Sequence, residues 1–372
     1  MTEFNLESYL TKGVERIVKG IWKASFKNPS ASIFMMQYIN CNKKANSLRK
    51  ESELAGRHIP PFLIASITTN CNLHCKGCYA RANHNCFDGT DKEHQMLTAD
   101  QWGNIFDEAQ KLGISFILLA GGEPMLRRDV LEMAGIHKEI LFPVFTNGTM
   151  FTAENIKLLA SYPNLLPVLS IEGEIETTDQ RRGAGVYDQL LSGMSELQKR
   201  GILFGSSVTV QKENMKEVMG DAFLQSLIEK GCKAVVYVEY VPVNQKTAEL
   251  APDEGDRMYM AGRLDELRET YKELVFVSFP GDEKTSGGCL AAGRGFFHIN
   301  AYGGAEPCPF SAYSDTSLKE VSLEEALQSP LFLKLQNSGT LTVEHTGGCV
   351  LFEQEETVKN FVKNENREKT VV

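Results

Sequence analysis

Long apolar runs are missing from this chain. No stretch approaches the 18 consecutive apolar residues of a membrane-spanning helix, and the amino terminus lacks the charged, apolar and small-residue succession of a signal peptide. A basic excess is missing too. The 39 lysines and arginines face 48 aspartates and glutamates, for a formal net charge of −9. That balance argues against a dedicated nucleic-acid binder, and no nucleic-acid partner is expected, although a local basic patch is still allowed. No repeat of solenoid period is present. With 42% hydrophobic residues, 23% charged residues and 13 prolines over 372 positions, a largely disordered chain is excluded, because enough apolar surface exists to offset ordering. The length suits one main domain with appendages, and the chain reads as cytoplasmic.

Cysteine is plentiful, at nine residues. In a reducing compartment clustered thiols point to metal binding or redox chemistry, not to disulfides. Cys71, Cys75 and Cys78 form one group, and Cys289, Cys308 and Cys349 a second. Cys41, Cys86 and Cys232 stand outside both.

Residues 1 to about 60 read as helical. Leu6, Leu10, Val14, Ile17, Val18, Ile21 and Trp22 recur at three- and four-residue spacing, with Lys12, Arg16, Lys19 and Lys23 for a polar side. Such a helix docks on the protein body or lies on an anionic membrane surface; docking is the favoured expectation. From residue 62, short apolar runs alternate with amphipathic stretches. Strands are expected at 62–68, 114–120, 141–146, 165–171, 202–210 and 233–241, and helices near 99–112, 128–139, 153–161, 186–200 and 214–230. Near-continuous apolar strands separated by helices predict a parallel α/β sheet buried on both faces, either doubly wound or a partial barrel. The polar stretch 244–257 looks like a boundary, followed by a helix at 257–272, a strand at 274–279 and a Gly/Cys-rich segment. The last ten residues are expected to fray.

The first triplet follows directly on the first expected strand, where α/β folds place their sites. The spacing Cys-x3-Cys-x2-Cys lets a short loop bring three sulfurs around one metal centre. A closed zinc site wants a fourth ligand, for which His74, His84 and Cys86 are nearest. An iron–sulfur cubane held at three irons leaves one iron open. At later strand ends stand "GGEP" (Gly121, Gly122, Glu123, Pro124), "TNGT" (146–149), "SIEG" (170–173) and "RRGAGVYD" (181–188). Taken singly, these are ordinary turns, with Glu123 as an acceptor for an ammonium group. Arg182 is a bidentate fork for a carboxylate or a solvated arginine. Val208 and Val210 are most simply core.

The cysteine spacing and these four elements, in this order, resemble the radical S-adenosylmethionine (radical SAM) enzymes. The resemblance implies a partial (β/α)6 barrel. Cys71, Cys75 and Cys78 would hold a [4Fe–4S] cluster whose fourth iron is chelated by the amine and carboxylate of S-adenosylmethionine. Gly121, Gly122, Glu123 and Pro124 then match the motif that receives the cofactor's amine, Thr146 and Asn147 the third-strand element, and Ser170 a ribose or carboxylate contact. Glu172 stands where aspartate is more usual, and Arg182 faces the carboxylate. Gly77 departs from the aromatic residue often found before the last cysteine, and Tyr79 follows it instead. The segment from Cys289 through Gly303 to Cys308 is similar to the opening half of a SPASM auxiliary-cluster domain, with glycines for a hairpin turn. The second half is missing. Three ligands, completed by Cys349, suit one auxiliary [4Fe–4S] cluster, as in the shorter Twitch version; structural thiols or zinc are the alternative.

The domain organisation expected is a helical extension (1–60), a radical SAM core (61–245), a linker helix and strand (246–285), an auxiliary-cluster region (286–352) and a tail (353–372). The function expected is reductive cleavage of S-adenosylmethionine to a 5′-deoxyadenosyl radical that takes hydrogen from a peptide or protein side chain, for oxidation, crosslinking or maturation. A dehydrogenase or carbon–carbon bond former on a small molecule or lipid is the alternative, and a non-enzymatic iron–sulfur or zinc protein a remote one. A low-potential donor such as flavodoxin or ferredoxin would supply electrons, and the first helix leaves membrane contact open.

Overall fold

The structure is a computed structural model, and it describes residues 6–25, 29–83, 85–87, 95–242, 245–279, 287–343 and 349–368. Seven parallel strands, β1 (Phe62–Ser66), β2 (Phe116–Ala120), β3 (Phe142–Thr146), β4 (Leu165–Ser170), β5 (Gly205–Val210), β6 (Ala234–Glu239) and β7 (Val275–Phe279), lie side by side in chain order. A doubly wound sheet reverses its strand order at a switch point. This one does not, so the open choice resolves as the partial barrel. The strand at 274–279, expected in a linker, is its seventh strand and pairs with β6 from Ala234↔Val275 to Val238↔Phe279.

Two further strands, β8 (His298–Ile299) and β9 (Ala305–Glu306), form the hairpin foreseen around Gly303. The hairpin joins the far edge of the sheet, with β8 parallel to β1 at Ile64↔His298 and Ala65↔Ile299. The second cysteine region thus continues the core sheet.

Helices α4 (Ala99–Leu112), α5 (Arg128–Ile136), α6 (Ala153–Ser161), α7 (Ile175–Arg182), α8 (Val186–Lys199), α9 (Met215–Val218), α10 (Asp221–Glu229) and α11 (Glu254–Thr270) follow the strands, after a short α3 (Tyr79–Ala82). Their ends follow local chemistry. Thr98 and Gln101 make a reciprocal capping box at the start of α4, and Gly113 ends it in the left-handed region. The expected helix 214–230 is two pieces, divided at Met219–Gly220.

The amino-terminal segment is a helical pair, α1 (Leu6–Ser25) and α2 (Pro29–Leu54). Leu10, Val14, Val18 and Ile21 are buried, and the last three pack with Phe34, Met35 and Tyr38 against Leu141 and Leu166 at the amino-terminal ends of the strands. Tyr38 donates to the Ser115 carbonyl at 2.7 Å, and Arg49 to the Gly113 carbonyl at 2.5 Å. Docking is therefore the outcome for α1, and its apolar stripe is spent on the body. Among the described residues no helix is long and apolar enough to cross a membrane.

Beyond β9 the chain forms α12 (Leu323–Leu327), α13 (Pro330–Asn337), α14 (Val350–Glu353) and α15 (Glu355–Glu368). Of the end expected to fray, residues 363–368 close α15 and residues 369–372 lie outside the described residues; Val358, earlier in α15, is fully buried.

Candidate functional site

Cys71, Cys75 and Cys78 lie in the loop that leaves the carboxyl end of β1, each partly exposed. Three neighbouring strand ends brace this loop. From β2, the Gly122 amide donates to the Thr68 carbonyl and the Glu123 amide to the Asn70 carbonyl, both at 2.8 Å. A Cβ at Gly121 would stand 2.3 Å from the Thr68 oxygen, and one at Gly122 2.1 Å from the Asn70 oxygen. The two glycines therefore serve close packing of one backbone on another, a reason different from ligand approach.

Glu123 is also placed differently from expectation. Its carboxylate is wholly buried and accepts from the Met125 amide at 3.0 Å, the Thr146 hydroxyl at 2.7 Å and the Asn147 amide at 2.7 Å. It ties the β2 end to the β3 end and leaves little for an ammonium group. Burial lifts its carboxyl to about 7, against the pull of these three donors. Thr146 is likewise turned inward, spent on Glu123, while Pro124, itself buried, opens a 3₁₀ turn.

Asn147 does reach the loop. Its side-chain amide donates to Asn72 Oδ1 at 2.8 Å and points at Cys71 Sγ from 4.0 Å. From the fourth strand end, Glu172 is fully buried and bound by two arginines: Arg181 Nη1 at 2.5 Å, and Arg182 through Nε at 2.9 Å and through Nη2. Glu172 is a positioning residue, not a group presented to a cofactor. Burial opposes its charge, but the two guanidiniums outweigh it and hold the carboxyl below its usual range. Arg182, so oriented, brings Nη1 to 4.0 Å from Cys75 Sγ, and Arg181 clasps Lys76 through two backbone contacts of 2.8 and 3.2 Å. Ser170 is partly exposed at the end of β4. Val208 and Val210 are fully buried core.

Gly77 has a physical reason. It adopts φ +66°, and a Cβ there would meet the Tyr240 hydroxyl at 2.8 Å. Tyr79, expected near the cofactor, turns its ring onto Phe310, edge to face at a centroid distance of 4.9 Å. Asn83 beside it donates to the Pro309 carbonyl at 3.2 Å, so the first cysteine loop leans on the segment that follows Cys308. His74 is exposed, and His84 lies outside the described residues.

The second triplet is buried. Cys289 donates its amide to the Leu341 carbonyl at 2.8 Å, Cys308 bridges to Ser311, and Cys349 precedes α14; residues 344–348 before it lie outside the description. Sequence reasoning missed one group here. His298 Nε2 meets Ser66 Oγ at 2.8 Å, its Nδ1 meets Glu306 Oε2 at 2.7 Å, and Asn300 donates to Glu306 Oε1 at 2.7 Å. The signal available was two ionisable residues inside an otherwise apolar, glycine-rich hairpin.

Among the described residues no three His, Cys, Asp or Glu side chains converge as a single-ion site requires. A cubane instead takes one thiolate at each corner iron, and three thiols spread along one loop suit it by donor chemistry. Two buried polar atoms beside that loop, Asn70 Oδ1 and Tyr240 Oη, have no hydrogen-bond partner, as does Ser311 Oγ beside Cys308. Such atoms are costly unless a bound group completes them. The three thiols and these unpartnered atoms fit a bound cluster.

A parallel partial barrel with a three-cysteine loop at its first strand end defines the class. The family model described as the Radical SAM superfamily matches residues 65–224, so that stretch carries a radical SAM domain. Among relatives, the chain is 31% identical over 161 residues to the Fe-coproporphyrin III synthase of Methanosarcina barkeri, covering 42% of this chain and 39% of that one. It thus spans about two fifths of that relative's length. It is 27% identical over 313 residues to the AdoMet-dependent heme synthase of the same organism (76% and 87% covered), and 23% identical over 278 residues to the PqqA peptide cyclase of Granulibacter bethesdensis (72% of each). In fold it is similar to Streptococcus suis SuiB bound to precursor peptide SuiA, with a TM-score of 0.62 at 17% identity, over 79% of this chain and 70% of that one.

Proposed function

We propose that the chain is a radical SAM enzyme that removes a hydrogen atom from a peptide or protein side chain and carries it to an oxidised, crosslinked or matured product. The observation that carries this reading is the cysteine loop at the β1 end, with Asn147 and Arg182 aimed at two of its sulfurs. Cys71, Cys75 and Cys78 would hold the cluster. When bound, it would supply the one-electron reduction by which S-adenosylmethionine yields a hydrogen-abstracting 5′-deoxyadenosyl radical. The protein's own part is to hold the loop through Glu123 and Arg181, to fix Arg182 through Glu172, and to keep water from the barrel interior. Cys289, Cys308 and Cys349 would hold one auxiliary cluster, suited to take an electron from the substrate.

The alignment with a peptide cyclase over 72% of each chain supports the peptide substrate. The longer alignment with a heme synthase favours a second reading, oxidation of a tetrapyrrole-type small molecule by the same chemistry. A low-potential flavoprotein or ferredoxin donor fits both.

Anaerobic reconstitution tests the proposal. Wild type should release 5′-deoxyadenosine under strong reduction, and replacing Cys71, Cys75 and Cys78 by alanine should abolish it. Replacing Cys289, Cys308 and Cys349 should remove about one cluster's iron while some release persists. Failure of wild type to bind iron or release the nucleoside sinks the enzyme. Release stimulated by iron coproporphyrin, and by no peptide encoded near this chain, would select the second reading.

A further inference from the structure

Tyr240 follows directly on β6, and its place is fixed from two sides. Its amide donates to the Val210 carbonyl at the end of β5 at 2.9 Å. The preceding Glu239, itself buried, accepts from Arg257 Nε at 2.6 Å. The Tyr240 side chain is 2% exposed, yet among the described residues its hydroxyl has no hydrogen-bond partner. A buried tyrosine hydroxyl usually finds one, because leaving it unpaired forfeits its bonds to water.

The ring presses on the cysteine loop. A Cβ added at Gly77 would stand 2.8 Å from Tyr240 Oη, 3.0 Å from Cε2 and 3.3 Å from Cζ. Gly77 lies between Cys75 and Cys78, so the hydroxyl sits beside the turn that carries two of the three thiols. That turn is held on both sides. Arg181 engages the amide and the carbonyl of Lys76, and the Cys78 carbonyl accepts the Ala82 amide at 3.1 Å. Glycine here makes room for a phenol that arrives from a distant strand end. Asn70 Oδ1, the other unpartnered atom beside the loop, can only accept a hydrogen bond, whereas the phenol can donate one. None of the loop sulfurs accepts from it, so its acceptor has to come from what the loop binds.

We infer that the Tyr240 hydroxyl donates a hydrogen bond to a sulfide of the cluster held by Cys71, Cys75 and Cys78, and thereby raises the reduction potential of that cluster. One-electron reduction adds negative charge to the sulfurs. A donor fixed beside them in advance therefore stabilises the reduced form more than the oxidised one. The inference rests on the proposed function in one respect, that this loop holds a cluster.

The test uses the full-length protein reconstituted anaerobically with iron and sulfide. In electron paramagnetic resonance, this cluster is the one whose reduced signal changes when S-adenosylmethionine is added. Potentiometric titration without that addition gives its midpoint. Tyr240→Phe keeps the ring and removes the donor. It should load as much iron as wild type, with a reduction equilibrium about ten-fold less favourable, which for one electron is a midpoint ~59 mV more negative. Any second cluster should keep its own midpoint. In parallel, urea unfolding of the reduced, iron-free protein should give Tyr240→Phe a midpoint no lower than wild type, since the hydroxyl has no protein partner to lose. An unchanged potential, or an equal shift in both clusters, would overturn the inference. So would a lower urea midpoint, which would assign the hydroxyl to the fold, or weaker S-adenosylmethionine binding at unchanged potential, which would assign it to the nucleotide. Wild type with no cluster that answers to S-adenosylmethionine would sink the proposed function and this inference together. A loaded wild type whose potential Tyr240→Phe leaves in place would sink the inference alone.

Discussion

Replacing Glu172 by alanine probes the polar frame behind the cysteine loop. One carboxylate oxygen accepts from Arg181 and Arg182, and the other accepts the Thr209 amide at 3.0 Å. Removal strands two guanidiniums whose side chains are 13% and 11% exposed. Breaking a buried ion pair from one side costs about 3–5 kcal/mol. The slight exposure lets water reach the arginines, so the lower end, about 3 kcal/mol, is expected. Urea unfolding of the reduced, cluster-free protein, followed by circular dichroism, should show that loss as a lower midpoint at unchanged slope. Glu172→Gln keeps the shape but sets an amide N–H₂ against one of the donors, and should cost about 1–3 kcal/mol. Arg182→Met should cost less in the Glu172→Ala background than alone, with a coupling of about 1–3 kcal/mol. The folded carboxyl lies below its unfolded value, so its stabilisation is present above the ordinary carboxylate range and fades as pH falls through the lower folded value. A cost under about 1 kcal/mol with no coupling to Arg182 would refute this account of the pair.

Gly122→Ala places a methyl 2.1 Å from a backbone oxygen that cannot rotate away, so iron loading should collapse while the helical circular dichroism signal persists; a normal iron content would contradict the packing. Glu123 is an acid whose folded value is raised, so it favours the folded state at low pH. Its contribution should decline by roughly 3 kcal/mol as pH rises from the usual glutamate value towards about 7, a slope that Glu123→Gln should lack in parallel urea titrations. Gly20→Ala drives a methyl to 2.2 Å from Val275 Cγ2 and should cost about 1–3 kcal/mol, read as a lower thermal midpoint; Val275→Ala should restore most of it.

Much of the barrel was legible in the chain. Strands β1 to β7 are short apolar runs, and α4 and α6 fall on the expected residues 99–112 and 153–161, because each carries a Thr cap and an apolar stripe. Helix α7 was not seen: "IETTDQRR" is polar nearly all round, with only Thr178 buried, and its purpose is to deliver Arg181 and Arg182. That the three cysteines share one loop at the end of the first strand could be read from spacing alone. The roles of Glu123, Thr146 and Glu172 could not, since a carboxylate that binds a ligand and one that binds its neighbours look alike in one dimension. Nor could the hairpin's destination be foreseen. The pairing of β8 with β1 spans more than 230 residues, and no local pattern encodes it.

That pairing bears on how the sheet is kept from pairing edge to edge with other chains. Strand β1 is apolar, with Leu63 and Ala65 fully buried, and without β8 its outer row of amides and carbonyls would form an open sheet margin. Such margins template association with other chains. The hairpin between the cysteines of the second group closes the margin with two residues of pairing and then turns antiparallel. A chain halted before residue 298 would therefore leave the ribosome with a complete barrel wall and an adhesive seam. The second cysteine region would act as a guard for the first one before any metal arrives.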